Sequence, residues 1–314
     1  MPHMLVLGSF VMACCWKVER LPQAGETFTA SALSIEPGGK GLNVAIGARR
    51  LGMSVDVLLG IGQDAAGQQL LRLLAQEGVG HDHVHTLAAQ SGYGAGMIGS
   101  HGQNAIVVYP GPNLLLLAAH AELAQASIKR AACVYGQFET SDAVITRAFD
   151  IARAHGVSTV LNPSPWRDMS PALRRSVDTF IVNEVEVLGL LQLKQPLAGL
   201  SLDDVQKQLT PALPAFWLST MAKLLVVTLG AQGSMAFRRD AAPECAATFA
   251  MQAIDTVGCG DAFAAGFCDA LCRQQALNEA LRAGNACGAL MAAHWGVLQA
   301  LPQRAQLQQL LQAS

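Results

Sequence analysis

The sequence predicts an α/β fold: a mostly parallel sheet covered by helices on both faces, with a small separate sheet. Three observations predict it. Short apolar runs alternate with helical patterns along most of the chain, as strand–helix–strand units require. Polar candidates fall just after the strands, where open parallel sheets bind ligands: Glu139, Asn162, Asn183 and the glycines after Leu229. Two distant segments, Thr27–Pro37 and Tyr93–Pro110, mix small, β-branched and polar residues and break that rhythm, so they read as strands of the separate sheet.

Taken in order, Met4–Phe10 is an apolar run with the profile of a buried first strand. Gly41–Leu51 is helical, Val55–Ile61 a strand, and Ala66–Glu77 a helix with Leu70, Leu71, Leu73 and Leu74 on its apolar side. Within Tyr93–Pro110, Gly99-Ser100-His101-Gly102 forms a turn between two strand-like runs. The alternation then resumes with strand Ala132–Phe138, helix Ser141–His155, strand Thr159–Asn162, strand Thr179–Asn183 and helix Glu184–Leu193. Pro211 and Pro214 interrupt any long helix over Leu202–Ser219. Leu224–Leu229 is a buried strand, followed by Gly230-Ala231-Gln232-Gly233 and a strand near Ser234–Arg238. The remainder is helical, over Asp261–Arg273, Asn278–Ala293 and Pro302–Ala313.

Composition narrows the function class. A chain of 314 residues, 51% hydrophobic and 14% charged, buries a sizeable core and is not disordered. Its net charge of −2 and lack of a basic cluster argue against nucleic acid and anionic membrane as partners. Eight cysteines form no CxxC pair; Cys14 and Cys15 are adjacent, and Cys268 and Cys272 lack companions for a metal site. With no secretory signal at MPHMLVLGSF and no long unbroken apolar stretch, reduced thiols in a cytoplasmic protein are the expectation.

Three motifs carry chemistry. In Asp255–Phe267, DTVGCGDAFAAGF, Gly258 and Gly260 bracket Cys259 and lead into Asp261 and an apolar helix. A helix starting there aims unpaired N–H groups at the space before it, a cradle for a transferring phosphoryl group, and Asp261 could accept the proton of an attacking hydroxyl. A glycine turn with a capping aspartate is the competing structural reading. Gly38-Gly39-Lys40-Gly41-Leu42-Asn43 likewise precedes a helix, with Lys40 offering charge and Asn43 a donor and an acceptor; the alternative is a turn with a solvated lysine. It is not a P-loop, because Gly41 follows Lys40, and GSFVMACC after the first strand lacks a dinucleotide fingerprint, which disfavours an oxidoreductase. Asn183 and Glu186 are either a helix cap and a first-turn acid or a site for hydrated Mg²⁺ on nucleotide phosphates. Thr228-Leu229-Gly230-Ala231-Gln232-Gly233 is either a plain turn or a nucleotide-contacting loop.

GGKGLNVAIGARRLG and DTVGCGDAFAAGF resemble the two signature segments of the ribokinase (PfkB) family of carbohydrate kinases. Asn183–Glu186 resembles its N-x-x-E element and TLGAQG its nucleotide loop; order and spacing agree along the whole chain, including LPQAGET near residue 25 and NPSP at Asn162–Pro165. The resemblance implies a single kinase domain over residues 1–314, with a small β-sheet lid drawn from about 11–37 and 93–113. It implies Asp261 as catalytic base and an anion hole at Gly258, Cys259 and Gly260. Gly39, Lys40, Asn43 and Glu139 would face the sugar, and Asn183, Glu186, Thr228, Gly230, Gly233 and Asn285 would face ATP. Mg²⁺ would sit near Glu186 through water, and a monovalent cation such as K⁺ near Asp255 and the Val257 carbonyl. Paired lids would give a homodimer.

The chain departs from that pattern in three places. Cys259 replaces the usual Ala, and Ala300 stands where Ser is frequent beside the cation. In Gly8-Ser9-Phe10-Val11-Met12-Ala13, Val11 and Ala13 occupy the positions of the Asn and Asp that hold sugar hydroxyls in ribokinases, so D-ribose is expected to be a poor substrate. The reading is therefore an ATP- and Mg²⁺-dependent kinase of a small sugar or sugar-like molecule. Its rivals are a nucleoside kinase, a sugar-phosphate kinase served by Lys17 and Arg20, and a non-catalytic sugar- or nucleotide-sensing module of the same fold.

Overall fold

Apolar runs of about five residues, too short for helices, become the central strands, and the longer amphipathic stretches between them fold back as crossovers. The computed structural model describes residues 1–99 and 103–313. The chain opens with β1 (His3–Leu7), crosses to β2 (Val11–Val18) and β3 (Ala32–Gly38), and returns through α1 (Lys40–Arg50), β4 (Ser54–Gly62), α2 (Ala65–Glu77) and β5 (Gly80–Ala88). It crosses again to β6 (Gly92–Gly99) and β7 (Asn104–Tyr109). Then follow α3 (Ala118–Leu123), α4 (Gln125–Arg130), β8 (Cys133–Gln137), α5 (Asp142–Ala154), β9 (Ser158–Asn162), α6 (Pro171–Arg175), β10 (Thr179–Asn183) and α7 (Glu184–Leu191). The last part holds α8 (Leu202–Leu209), α9 (Leu213–Ser219), β11 (Leu224–Thr228), β12 (Ser234–Arg238), β13 (Glu244–Ala246), α10 (Cys259–Cys272), α11 (Leu277–Ala292) and α12 (Arg304–Gln312).

The large sheet has nine strands in the order β13-β12-β11-β10-β9-β8-β1-β4-β5, parallel from β11 to β5 and antiparallel only at the β12 and β13 edge. Each face carries its own apolar layer. Met4, Val6, Tyr135 and Val226 pack beneath α1, α10 and α11, whereas Leu5, Leu7, Val134 and Phe180 pack beneath α5, α7 and α9. Parallel pairing brings the carboxyl ends into line: Gln137 pairs with Asn162, and Asn183 with Thr228.

The small sheet has the order β3-β2-β6-β7. Paired residues share a face. Val11, Ala13 and Cys15 therefore lie on one face with Gly38, Glu36 and Ser34 of β3 and with Gly92, Gly94 and Gly96 of β6. Glu36 Oε1 accepts from Val297 N at 3.2 Å, so this face turns toward the loops flanking α10 and α11. The other face carries Leu33, Ile35, Tyr93, Val107 and Tyr109, all exposed. Asn113 ties the entry and exit of the sheet: its Oδ1 accepts from Phe10 N at 2.9 Å, and its Nδ2 donates to Phe10 O and Pro110 O, each at 2.8 Å.

The sequence reading differs from the structure at several elements. The first apolar run ends as a strand at Leu7, and Val11 begins a separate strand of the small sheet. Thr27–Ser31 is not strand; β3 starts at Ala32. β5 was not anticipated, because His81, Asp82, His83 and His85 give it no apolar alternation, and as an edge strand it is only half-buried. Pro211 falls in a 3₁₀ turn, Thr210–Ala212, that joins α8 to α9. The turn expected at Gly99-Ser100-His101-Gly102 falls on residues 100–102, outside the described residues. Among the described residues, no helix is long and apolar enough to cross a membrane.

Candidate active site

The site begins where β1 stops. Gly39 takes φ 118° to turn the chain into α1, and a Cβ there would lie 2.5 Å from Ser9 O, so the backbone fits only glycine. Ser9, fully buried, donates from Oγ to Glu139 Oε2 at 2.5 Å and accepts from Gly41 N at 3.2 Å. Glu139 Oε2 also accepts from Lys40 N at 2.9 Å. A carboxylate from the end of β8 thus caps α1, satisfying donors that a helix start leaves orphaned.

One turn into α1, Asn43 Nδ2 donates to Asp261 Oδ2 at 2.8 Å. Both residues are at least 94% buried, and Asn43 Oδ1 is left without a partner. Asp261 lies in the first turn of α10. Gly258 caps that helix with φ 80°, and a Cβ there would come within 2.7 Å of Met291 Cε. Cys259 N closes a turn on Thr256 O at 3.3 Å. The N–H groups of Gly260 and Asp261 find no acceptor among the described residues, and a Cβ on Gly260 would meet nothing within 4 Å. The helix start therefore faces open space with two unpaired donors, a setting suited to an anion.

Charge sets the protonation states. Burial pushes the Asp261 carboxyl above the usual aspartate value, against the opposing pull of the Lys40 ammonium and the Asn43 amide. Lys40 is held protonated to higher pH, first by Asp261 and further by Glu139 and Glu186. Burial, with Asp255 and Asp261, lifts the Cys259 thiol to about 11, so at neutral pH it is not a thiolate nucleophile.

Two cavities meet here. A polar one of about 190 Å³ is lined by Lys40, Asn162, Asn183, Glu186, Gly258 and Asp261, among others. A larger one of about 500 Å³ runs past Gly230 and Gly233 to Asn285, with Phe249, Met251 and Phe263 forming apolar walls. Asn183, Thr228, Thr256 and Gly260 line both, so the two are continuous. Glu186 is buried, and its Oε2 accepts from Asn183 N at 2.9 Å and Asn162 Nδ2 at 3.3 Å while Asn183 Oδ1 accepts from Glu186 N at 2.8 Å. It is a helix-capping residue and a wall of the polar cavity together. Asn285 Nδ2 donates to Ala246 O at 2.8 Å, bracing the far wall.

The structure thus gathers Gly39, Lys40, Asn43 and Glu139 with Asp261, and Asn183, Glu186, Thr228, Gly230, Gly233 and Asn285 around the two cavities. Asp255 and Val257 lie on the loop before α10, where Asp255 Oδ1 accepts from Val257 N at 3.0 Å; neither lines the two cavities. Ser9 as an anchor for Glu139, and Phe249 and Met251 as cavity walls, were not anticipated. A serine after a strand and apolar residues in a loop carry no distinguishing pattern.

A family model described as pfkB family carbohydrate kinase matches residues 1–304. The ribokinase of Haemophilus influenzae is 31% identical over 300 residues, covering 95% of each chain. The ribokinase of Staphylococcus aureus is 30% identical over 301 residues, covering 95% of this chain and 96% of its own. A solved structure of Arabidopsis thaliana ribokinase complexed with ribose and ATP matches with a TM-score of 0.90 at 27% identity, covering 100% of this chain and 99% of its own. The chain belongs to the pfkB family of carbohydrate kinases.

Ser9→Ala should lower the unfolding free energy by about 1–3 kcal/mol, because it leaves the buried Gly41 N–H without an acceptor and takes one of two hydrogen bonds from Glu139 Oε2. Urea unfolding measures this, and unchanged stability would contradict the anchoring role.

Proposed function

We propose that this pfkB-family chain transfers the γ-phosphoryl group of ATP to a hydroxyl of a small neutral sugar or sugar-like molecule, with Asp261 as general base. The observation that carries the reading is the position of Asp261: buried, held by Asn43, at a helix start and lining the polar cavity that opens into the larger one. The sugar lies against Gly39, Asn43 and Glu139, its hydroxyl within reach of Asp261, with the unpaired Asn43 Oδ1 available to a second hydroxyl. ATP fills the larger cavity, its base toward Asn285 and its phosphates toward Asn183, Thr228 and the α10 start.

In the transfer, Asp261 takes the hydroxyl proton as the oxygen attacks the γ-phosphorus in line. The N–H groups at Gly260 and Asp261, the α10 dipole and the Lys40 ammonium offset charge on the transferred group. The first-turn position of Cys259 contributes backbone rather than thiol chemistry. Closure of the small sheet over the sugar excludes water.

The residues present fit a magnesium ion carried by the nucleotide. Among the described residues no three His, Cys, Asp or Glu side chains form a metal cage, yet Glu186 presents a carboxylate to the polar cavity. Such an ion would neutralise phosphate charge, with Glu186 holding its water. Asp255 and the Val257 carbonyl offer hard oxygen donors for a monovalent cation such as K⁺. The rivals have less support. Arg20 is paired with Glu26 at 2.7 and 3.0 Å and Lys17 lies over the Trp295 ring, which leaves a sugar phosphate little cation to bind. A sensing module would not need Asp261 poised at a helix start, and a cytoplasmic enzyme fits the free thiols.

Three outcomes test the reading. Asp261→Ala should keep nucleotide binding by calorimetry yet lower turnover by roughly 10²–10⁴-fold in a coupled assay over a sugar panel. Wild-type turnover would remove Asp261 from its role. The base works only when ionised, and burial raises its pKa, so the acid limb of kcat/KM should lie above the ordinary aspartate value of 3.8. Lys40→Met removes the opposing cation and should move that limb to still higher pH; a limb that stays put or moves down would contradict it. Last, the exposed apolar face at Leu33, Ile35 and Val107 fits a second copy of itself, so light scattering at micromolar concentration should give a twofold dimer that Val107→Asp dissociates. A monomeric wild type would count against pairing.

A further inference from the structure

The small-sheet face turned toward Val297 is nearly bare where it crosses β2 and β6. One register row reads Glu36, Ala13, Gly94 and Val108 across the four strands. A glycine inside a strand weakens it and calls for a reason. At Gly92 the reason is steric, since a Cβ would meet Phe10 O at 2.7 Å. At Gly94 it is not: a Cβ would touch only Val11 Cγ2, at an ordinary 3.8 Å. The protein itself leaves that place empty, and Ala13 beside it adds only a methyl group.

Glu36 borders the bare patch. It is the only carboxylate on this face of the small sheet among the described residues. Its Oε1 accepts from Val297 N at 3.2 Å, and its Oε2 has no hydrogen-bond partner among the described residues. A Cβ on Gly258 would lie 3.1 Å from Val297 Cγ1, so the residue that Glu36 binds sits against the α10 start. The patch is therefore apolar at its centre and anionic along one border.

We propose that Glu36 is a specificity-determining residue that reads the substrate. Its free carboxylate oxygen accepts a hydrogen bond from a hydroxyl or ammonium group, while carbon-only surface of the same molecule lies against Val11, Ala13 and the open place at Gly94. This rests on the sugar-kinase reading above and narrows it. The substrate class is a neutral or aminated sugar with a donor at the Glu36 end and no hydroxyl facing Val11 or Ala13. A phosphorylated or acidic sugar meets the like charge of Glu36 and is disfavoured. A charged acceptor left without its donor discriminates strongly, which makes one such residue sufficient to set preference.

The test uses the full-length enzyme with D-ribose, 2-deoxy-D-ribose, D-fructose, D-glucosamine, inosine and D-fructose 6-phosphate in a coupled kinase assay. Glu36→Gln keeps an acceptor for Val297 N–H and loses the charge. For the panel member that wild type uses best, it should raise KM by about tenfold or more, with kcat within about threefold. The ratio of fructose 6-phosphate to fructose use should rise in the same variant. Ala13→Asp combined with Glu36→Ala moves the carboxylate one strand over and should change the rank order of the panel. The inference is overturned if Glu36→Gln matches wild type on every sugar, or weakens all by one common factor, as a mere tether to Val297 would. It is overturned too if fructose 6-phosphate is the preferred wild-type substrate. A wild type that binds ATP but phosphorylates nothing in the panel defeats the sugar-kinase reading itself, and this inference with it.

Discussion

Where α1 crosses α10, a Cβ on Gly47 would come within 2.9 Å of the Ala265 Cβ, and that closeness fixes where both helices begin. Small residues at the crossing, Ala45, Gly47, Ala48 and Ala265, let the two axes approach. Their first turns consequently arrive at one place from different parts of the chain, and Asn43 and Asp261, 218 positions apart, come within hydrogen-bond distance. Two positive helix ends and one lysine then lie about a carboxylate whose pKa burial raises. The site's electrostatics follow from how these two helices pack.

Several polar groups at the site serve the fold and the cavity at once. Glu186 closes a capping box on α7 and lines the polar cavity, and Asn285 braces the strand edge at Ala246 and lines the larger one. A carboxylate that already accepts two protein hydrogen bonds is held to one rotamer, so it presents its remaining oxygen without further ordering cost.

The layered α/β architecture was legible because buried parallel strands must be short apolar runs and their crossovers must be helical. The site was legible for a similar reason: glycines at 39, 258 and 260 sit where the backbone has no room for a side chain or must leave room for something else. Asn183 and Glu186 form the helix cap that was one of their two readings, and the same two side chains also line the polar cavity. What escaped was whatever depends on long-range partners. β5 gains its place from β4, with His83 beside Ser127, and shows no periodicity of its own. Ser9 matters only because Glu139 lies 130 residues away. Nothing local distinguishes Glu36; its meaning comes from the strand register.

Asn113 holds both strands of the crossing with one amide, bonding to Phe10 on the way into the small sheet and to Pro110 on the way out. Two of the four passages of chain between the sheets, β1 to β2 and the exit from β7, are thereby held together. The other two are short: β5 reaches β6 through residues 89–91, and β3 continues into α1 with only Gly39 between them. The strand that carries Glu36 and the helix that carries Asn43 are therefore one nearly uninterrupted piece of chain. The small sheet is thus joined directly to the helix that holds the Asp261 carboxylate through Asn43.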